Sequence, residues 1–207
     1  MTTKQMLIGK YKGDTHWEAS DLLAVEEPLE IRLEYGPSAQ RVTKNLSVTM
    51  RTPGADEDLA TGFLFTEGIV RQSSDLVGVR TLGENIVLVS LQPDFDFEMG
   101  KLERHFYTSS SCGVCGKTSL DAVKVAVKGS FSSNKNDWKI IPDIIYALPD
   151  SLRKAQSTFD ATGGLHASAI FDRAGNLLAL REDVGRHNAL DKLIGHYVQQ
   201  DLIPLND

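Results

Sequence analysis

From residue 29 to residue 35 apolar and polar side chains alternate, Leu29-Glu30-Ile31-Arg32-Leu33-Glu34-Tyr35, and the alternation returns in Leu46-Ser47-Val48-Thr49-Met50. A period of two puts every second side chain on the same face, so both runs are read as strands. Gly36-Pro37-Ser38 turns the chain between them, which makes a hairpin with one wet face, and Thr52-Pro53-Gly54 closes it. The acidic cluster Asp56-Glu57-Asp58 then opens a helix that carries Leu59, Ala60, Phe63 and Leu64 on one side, with Gly68 near its end. Acids in a first turn complement the positive end of the helix dipole. Two more strands, over residues 76–80 and 85–91, flank the turn Gly83-Glu84-Asn85 and complete a small α+β unit. Residues 1–23 show no period and are expected to form an arm, with regular structure starting at Pro28. Pro93-Asp94 suits a boundary.

Beyond it, Leu120, Val123 and Val127 predict a helix over residues 118–127, and residues 129–136 read as a loop by composition. Pro142 suits a first helical residue, with Ile144, Ile145 and Leu148 facing inward, and a second short helix is expected from Pro149 with Leu152 and Ala155. Thr162-Gly163-Gly164-Leu165-His166 leads into a strand ending at Phe171. Asp172-Arg173-Ala174-Gly175-Asn176 is a turn, and a second strand runs from Leu177 into Arg181-Glu182-Asp183. After Val184-Gly185-Arg186-His187-Asn188 comes a helix with Leu190, Leu193, Ile194, Tyr197 and Val198 on one face. Asn188 is the expected N-cap, and Asp191 stands three residues on as in a capping box.

Composition narrows the class. The chain has 207 residues, is 41% hydrophobic and carries a formal net charge of -6. That length and content provide for a sizeable core. The negative balance argues against a nucleic-acid partner, although a local basic patch could still hold a phosphorylated ligand. The first ten residues lack the apolar core of a signal peptide and no later run approaches membrane-spanning length, so a cytoplasmic protein without a membrane partner is expected.

The only two cysteines lie in Cys112-Gly113-Val114-Cys115-Gly116-Lys117. Two cysteines this close in a reducing compartment point to chemistry rather than to a structural staple. A helix starting after Gly116 would put Cys115 near its N-terminus, where the dipole and Lys117 favour the thiolate, the nucleophilic form. Three chemistries fit: dithiol redox as in a thiol-disulfide oxidoreductase, half of a zinc site completed by His166 or His187 as in a zinc-binding adaptor, or relay of a persulfide sulfur. Two inert cysteines are the plainer alternative. At the strand-loop-helix junction the loop amides, Arg186 and His187 could converge on an anion. Equally, Asp183 and Arg186 could form a local ion pair, and His166 could be a hydrogen-bonded core histidine.

Five runs together carry a resemblance. Glu27-Pro28-Leu29; Thr52-Pro53-Gly54 with Asp58-Leu59-Ala60-Thr61-Gly62-Phe63-Leu64-Phe65-Thr66-Glu67-Gly68; Ser110-Ser111-Cys112-Gly113-Val114-Cys115-Gly116-Lys117; Thr162-Gly163-Gly164-Leu165-His166-Ala167; and Arg181-Glu182-Asp183-Val184-Gly185-Arg186-His187-Asn188-Ala189-Leu190-Asp191-Lys192 occur in the order they have in the FdhD family, which this chain resembles. The resemblance implies a sulfurtransferase that accepts persulfide sulfur from a cysteine desulfurase and passes it to the molybdenum bis(molybdopterin guanine dinucleotide) cofactor, its bound substrate, in the service of a formate dehydrogenase. It also implies a homodimer, a persulfide on Cys112, and a less settled part for Cys115.

The fold it implies is α/β. A small α+β N-terminal domain spans residues 1–105, and a cytidine-deaminase-like three-layer α/β domain with the Cys-x-x-Cys loop spans residues 106–207. A zinc deaminase needs His-x-Glu ahead of its cysteine pair. Here the cysteines precede His166 and Ser168 stands in the acid's place, so the scaffold would lack a water-activating metal. Gly163, Gly164, His166, Asp183, Gly185, Arg186, His187 and Asn188 are then expected to form the guanine-nucleotide end of the pocket. Members of the family continue with a glycine, arginine and serine motif and a terminal strand, so this chain is expected to lack the family's C-terminal segment.

Overall fold

The computed structural model describes residues 1–93, 95 and 139–205. Its first element runs against the expected arm: β1 (Thr3–Lys12) and β2 (Thr15–Ala24) pair antiparallel, with Lys12 opposite Thr15 across Gly13-Asp14. Gly13 takes a φ of 58°, which a tight two-residue hairpin turn demands and glycine adopts freely. The alternation is missing for a physical reason. Leu7, Tyr11 and Trp17 all stay exposed, so neither face is reserved for a core.

The hairpin expected over residues 29–50 is β3 (Glu27–Tyr35) with β4 (Val42–Arg51). β5 (Leu76–Thr81) and β6 (Ile86–Leu91) form the second antiparallel pair, and β6 lies beside β3 in parallel, so the sheet order is β4-β3-β6-β5. A parallel neighbour requires a crossover, and α1 (Asp56–Thr66) lies within it. The helix sets Leu59, Ala60 and Leu64 against Leu29, Ile31 and Leu33 of β3 and Val87, Val89 and Leu91 of β6, with Ile69 and Val70 in the same buried cluster. Burying each of the larger aliphatic side chains stabilises the fold by roughly 1.5–3 kcal/mol.

The rest of the described chain comprises α2 (Pro142–Ala155), α3 (Ser157–Thr162), the antiparallel pair β7 (His166–Phe171) and β8 (Leu177–Asp183), and α4 (Arg186–Gln199). Pro142 opens α2 as expected, but the helix runs through Pro149 as one piece. Ile144 and Leu148 are half-buried, whereas Ile145 is 50% exposed. α4 lies between α1 and the β7–β8 hairpin. It meets α1 at two glycines: a Cβ on Gly62 would overlap the carbonyl oxygen of Asp191, and a Cβ on Gly195 would overlap that of Asp58. No side chain separates the helices there.

The chain is thus a mixed α/β protein. The expected division after residue 105, the helix over 118–127 and the loop over 129–136 lie outside the described residues.

Candidate functional site

The last three residues of β8 are charged, and each fastens a different element. Arg181 Nη2 reaches Asp58 Oδ2 of α1 at 3.2 Å. Glu182, pointing the other way as strand alternation requires, accepts hydrogen bonds from the Thr158 and Phe159 amides at 3.1 and 2.9 Å, and so holds the first turn of α3. Asp183 holds the junction that leads into α4.

Asp183 is 0% exposed and its carboxylate is saturated. Oδ1 accepts from the Gly185 amide at 2.8 Å and Asn188 Nδ2 at 3.1 Å; Oδ2 accepts from the Thr52 amide at 3.1 Å and pairs with Lys192 Nζ at 2.7 Å. A buried charge is costly unless paired and hydrogen-bonded, and here it is both. Lys192 Nζ also donates to the Thr52 carbonyl at 2.7 Å, and the Thr52 hydroxyl accepts from the Val184 amide at 3.1 Å. All three polar groups of Thr52, at the end of β4, are therefore bound to residues 183–192. The alternative pairing of Asp183 with Arg186 is not formed, because Lys192, on the buried stripe of α4, takes the carboxylate instead.

The N-cap of α4 is Gly185, not Asn188. Asn188 lies in the first turn, where Nδ2 donates to the Met50 carbonyl at 2.7 Å and Oδ1 accepts from Thr49 Oγ1 at 3.3 Å, so it docks the junction onto β4. Asp191 makes no capping box. It is buried against α1, with Oδ1 3.0 Å from Thr66 Oγ1. Burial first, and then nearby Glu67, push its carboxyl up to about 7, against the opposing effect of the Thr66 hydrogen bond.

Above this buried support lies an exposed rim. The first intrahelical bond of α4 runs from the Ala189 amide to the Gly185 carbonyl, leaving the earlier amides at an end with no side-chain cap and no acid in its first turn. Arg186 and His187 are exposed beside it. His166 pairs in register with Asp183, which brings the start of β7 to the same corner, and it too is exposed rather than a core histidine. Gly163 and Gly164, also exposed, lead into that strand; Gly163 ends α3 at a φ of 71°. The eight expected residues thus divide into a rim, comprising Gly163, Gly164, His166, Arg186 and His187, and the Asp183, Gly185 and Asn188 group that holds it. Uncapped amides beside two basic side chains can receive a phosphate.

Cys112 and Cys115 lie outside the described residues. Among the described residues no three His, Cys, Asp or Glu side chains gather where a metal ion could be held, and no helix is long and apolar enough to cross a membrane. Thr52 and Lys192 belong to the junction but were not expected there. Ala189, Lys192 and Leu193 share one face of α4, and a lysine on an apolar stripe is the signal that a buried acid must face it.

The family model described as the FdhD/NarQ family matches residues 24–205. This chain belongs to the FdhD/NarQ family. The sulfur carrier protein FdhD of Streptomyces avermitilis is 44% identical over 195 residues, which is 90% of this chain and 66% of that protein. The Saccharolobus solfataricus protein of the same name is 35% identical over 204 residues, 99% of this chain and 73% of its own length. The chain therefore spans about two thirds of the Streptomyces FdhD protein. Among solved structures, a protein from Desulfotalea psychrophila described as a formate dehydrogenase accessory protein superposes with a TM-score of 0.65 over 97% of this chain and 71% of its own, at 17% identity. At that identity the likeness speaks for the fold.

Proposed function

We propose that this chain is a sulfur carrier that supplies a formate dehydrogenase. The observation that carries the reading is the 44% identity to a sulfur carrier protein FdhD over 90% of the chain. The thiolate of Cys112 attacks the outer sulfur of a persulfide on a cysteine desulfurase, the donor's S–S bond breaks, the donor cysteine leaves as a thiolate, and Cys112 keeps the sulfur as a persulfide. The acceptor substrate is the molybdenum bis(molybdopterin guanine dinucleotide) cofactor. Its pyrophosphates are anionic, and the uncapped α4 amides with Arg186 and His187 fit that charge. Gly163, Gly164 and His166 form the opposite rim of this guanine-nucleotide end, and Asp183, Gly185 and Asn188 hold it in place. The protein acts as a homodimer in the cytoplasm.

Formate dehydrogenase activity in cells without a sulfur carrier of their own tests the reading. Wild type restores activity, Cys112→Ala restores none, and Arg186→Ala restores less because the acceptor is held more weakly. Full activity with Cys112→Ala would remove Cys112 from the mechanism.

A further inference from the structure

We propose that Thr52 and Lys192 are positioning residues for the nucleotide end of this site, so that the N-terminal sheet sets the geometry in which the amides of residues 186–188 meet an anion. The proposal rests on the reading above and adds two residues to it. Neither reaches the rim: Lys192 is 2% exposed and so is Thr52. Their contacts, however, all end on the segment that presents the rim. Thr52 donates its amide to Asp183 Oδ2 and accepts the Val184 amide on its hydroxyl, and its carbonyl receives Lys192 Nζ. Lys192 holds Asp183 from the second turn of α4, and Asp183 passes the constraint to the Gly185 amide, the N-cap residue. Val184 and Gly185, the two residues between β8 and α4, are therefore pinned through both backbone amides. Their amides are taken by Thr52 and Asp183, so the uncapped amides of residues 186–188 that follow them are oriented before an anion arrives and pay less ordering entropy on binding.

Binding of guanosine diphosphate, by calorimetry on the full chain, is the test. Thr52→Val keeps the shape and removes the hydroxyl acceptor; Thr52→Ser keeps the acceptor; Lys192→Met removes the cation. Loss of one hydrogen bond from the support weakens binding by about fivefold for Thr52→Val, and loss of the buried cation by at least about tenfold for Lys192→Met. Thr52→Ser binds like wild type. In peptide-resolved hydrogen exchange, residues 184–189 open faster in Thr52→Val than in Thr52→Ser. Where Lys192→Met does not fold, the Thr52 pair still decides. Equal guanosine diphosphate affinity for Thr52→Val and Thr52→Ser, both melting cooperatively, would overturn the positioning role and leave the sulfur-carrier reading intact. No binding to wild type, or binding unchanged by Arg186→Ala, would instead overturn the nucleotide end itself and the positioning role with it.

Discussion

The Thr66 hydroxyl has one hydrogen and two acceptors within reach, the Phe63 carbonyl at 3.2 Å and Asp191 Oδ1 at 3.0 Å. One proton cannot serve both. If Asp191 is protonated, it donates to Thr66, and Thr66 donates to Phe63, which agrees with a carboxyl pushed from the ordinary 3.8 to about 7. The folded chain then binds this proton more tightly than the unfolded chain, so the stability from this group is fully present below about pH 4 and is lost as pH rises through about 7. Asp191→Asn cannot ionise. Urea unfolding across that range should show the Asn variant gaining on wild type as pH rises, with the gap level above about pH 8. A gap that does not change with pH would mean that Asp191 is ionised in the fold. Burial also decides the partner of Asp183. Its place beside Arg186 in the sequence suggested a local pair, yet a buried carboxylate selects the cation that shares its burial, and that is Lys192 at 2.7 Å.

At the scale of elements, α1 and α4 approach backbone to backbone at Gly62 and Gly195. Gly62→Ala must push Asp191 and its helix aside, and Gly195→Ala must do the same to Asp58, because the obstructing atoms are backbone. Each should cost about 3 kcal/mol or more, read from the shift of the unfolding midpoint at constant m-value. Alanine at Gly78, where an added Cβ meets nothing within 4 Å, is the control. A cost no larger than that of Gly78→Ala would show that the helices separate freely. β3 and α1 were legible because each turns one apolar face to the core, which prints a period on the sequence, and β6 because burial on both faces makes it a continuous apolar run; in β4 only Leu46 of the alternating apolar positions is buried, while Val48 and Met50 stay exposed. β1 and β2 print none, since Leu7 and Tyr11 lie exposed on one face and Met6 and Trp17 on the other. α2 was divided at Pro149 because proline removes a helical donor; the helix continues through that position all the same.

Across the whole molecule, Thr52 at the end of β4 meets the buried Asp183–Lys192 pair of the second half through hydrogen bonds, and the candidate site stands on that seam. The junction between β8 and α4 could be read from Asp183-Val184-Gly185-Arg186-His187-Asn188 as a place for an anion. Its support could not, because Thr52 lies 131 residues before Asp183 in the chain and only the fold brings them together. The family motifs marked Thr52 without giving it a role. The proposed sulfur transfer rests on the thiolate of Cys112. Mass spectrometry of peptides after mixing the chain with a cysteine desulfurase and cysteine tests it directly, on wild type, Cys112→Ala and Cys115→Ala. A sulfur atom added to the peptide containing Cys112, lost in Cys112→Ala and retained in Cys115→Ala, is the result expected of the carrier. Sulfur that persists on the Cys112→Ala chain, or none on wild type while the desulfurase turns over, would contradict it.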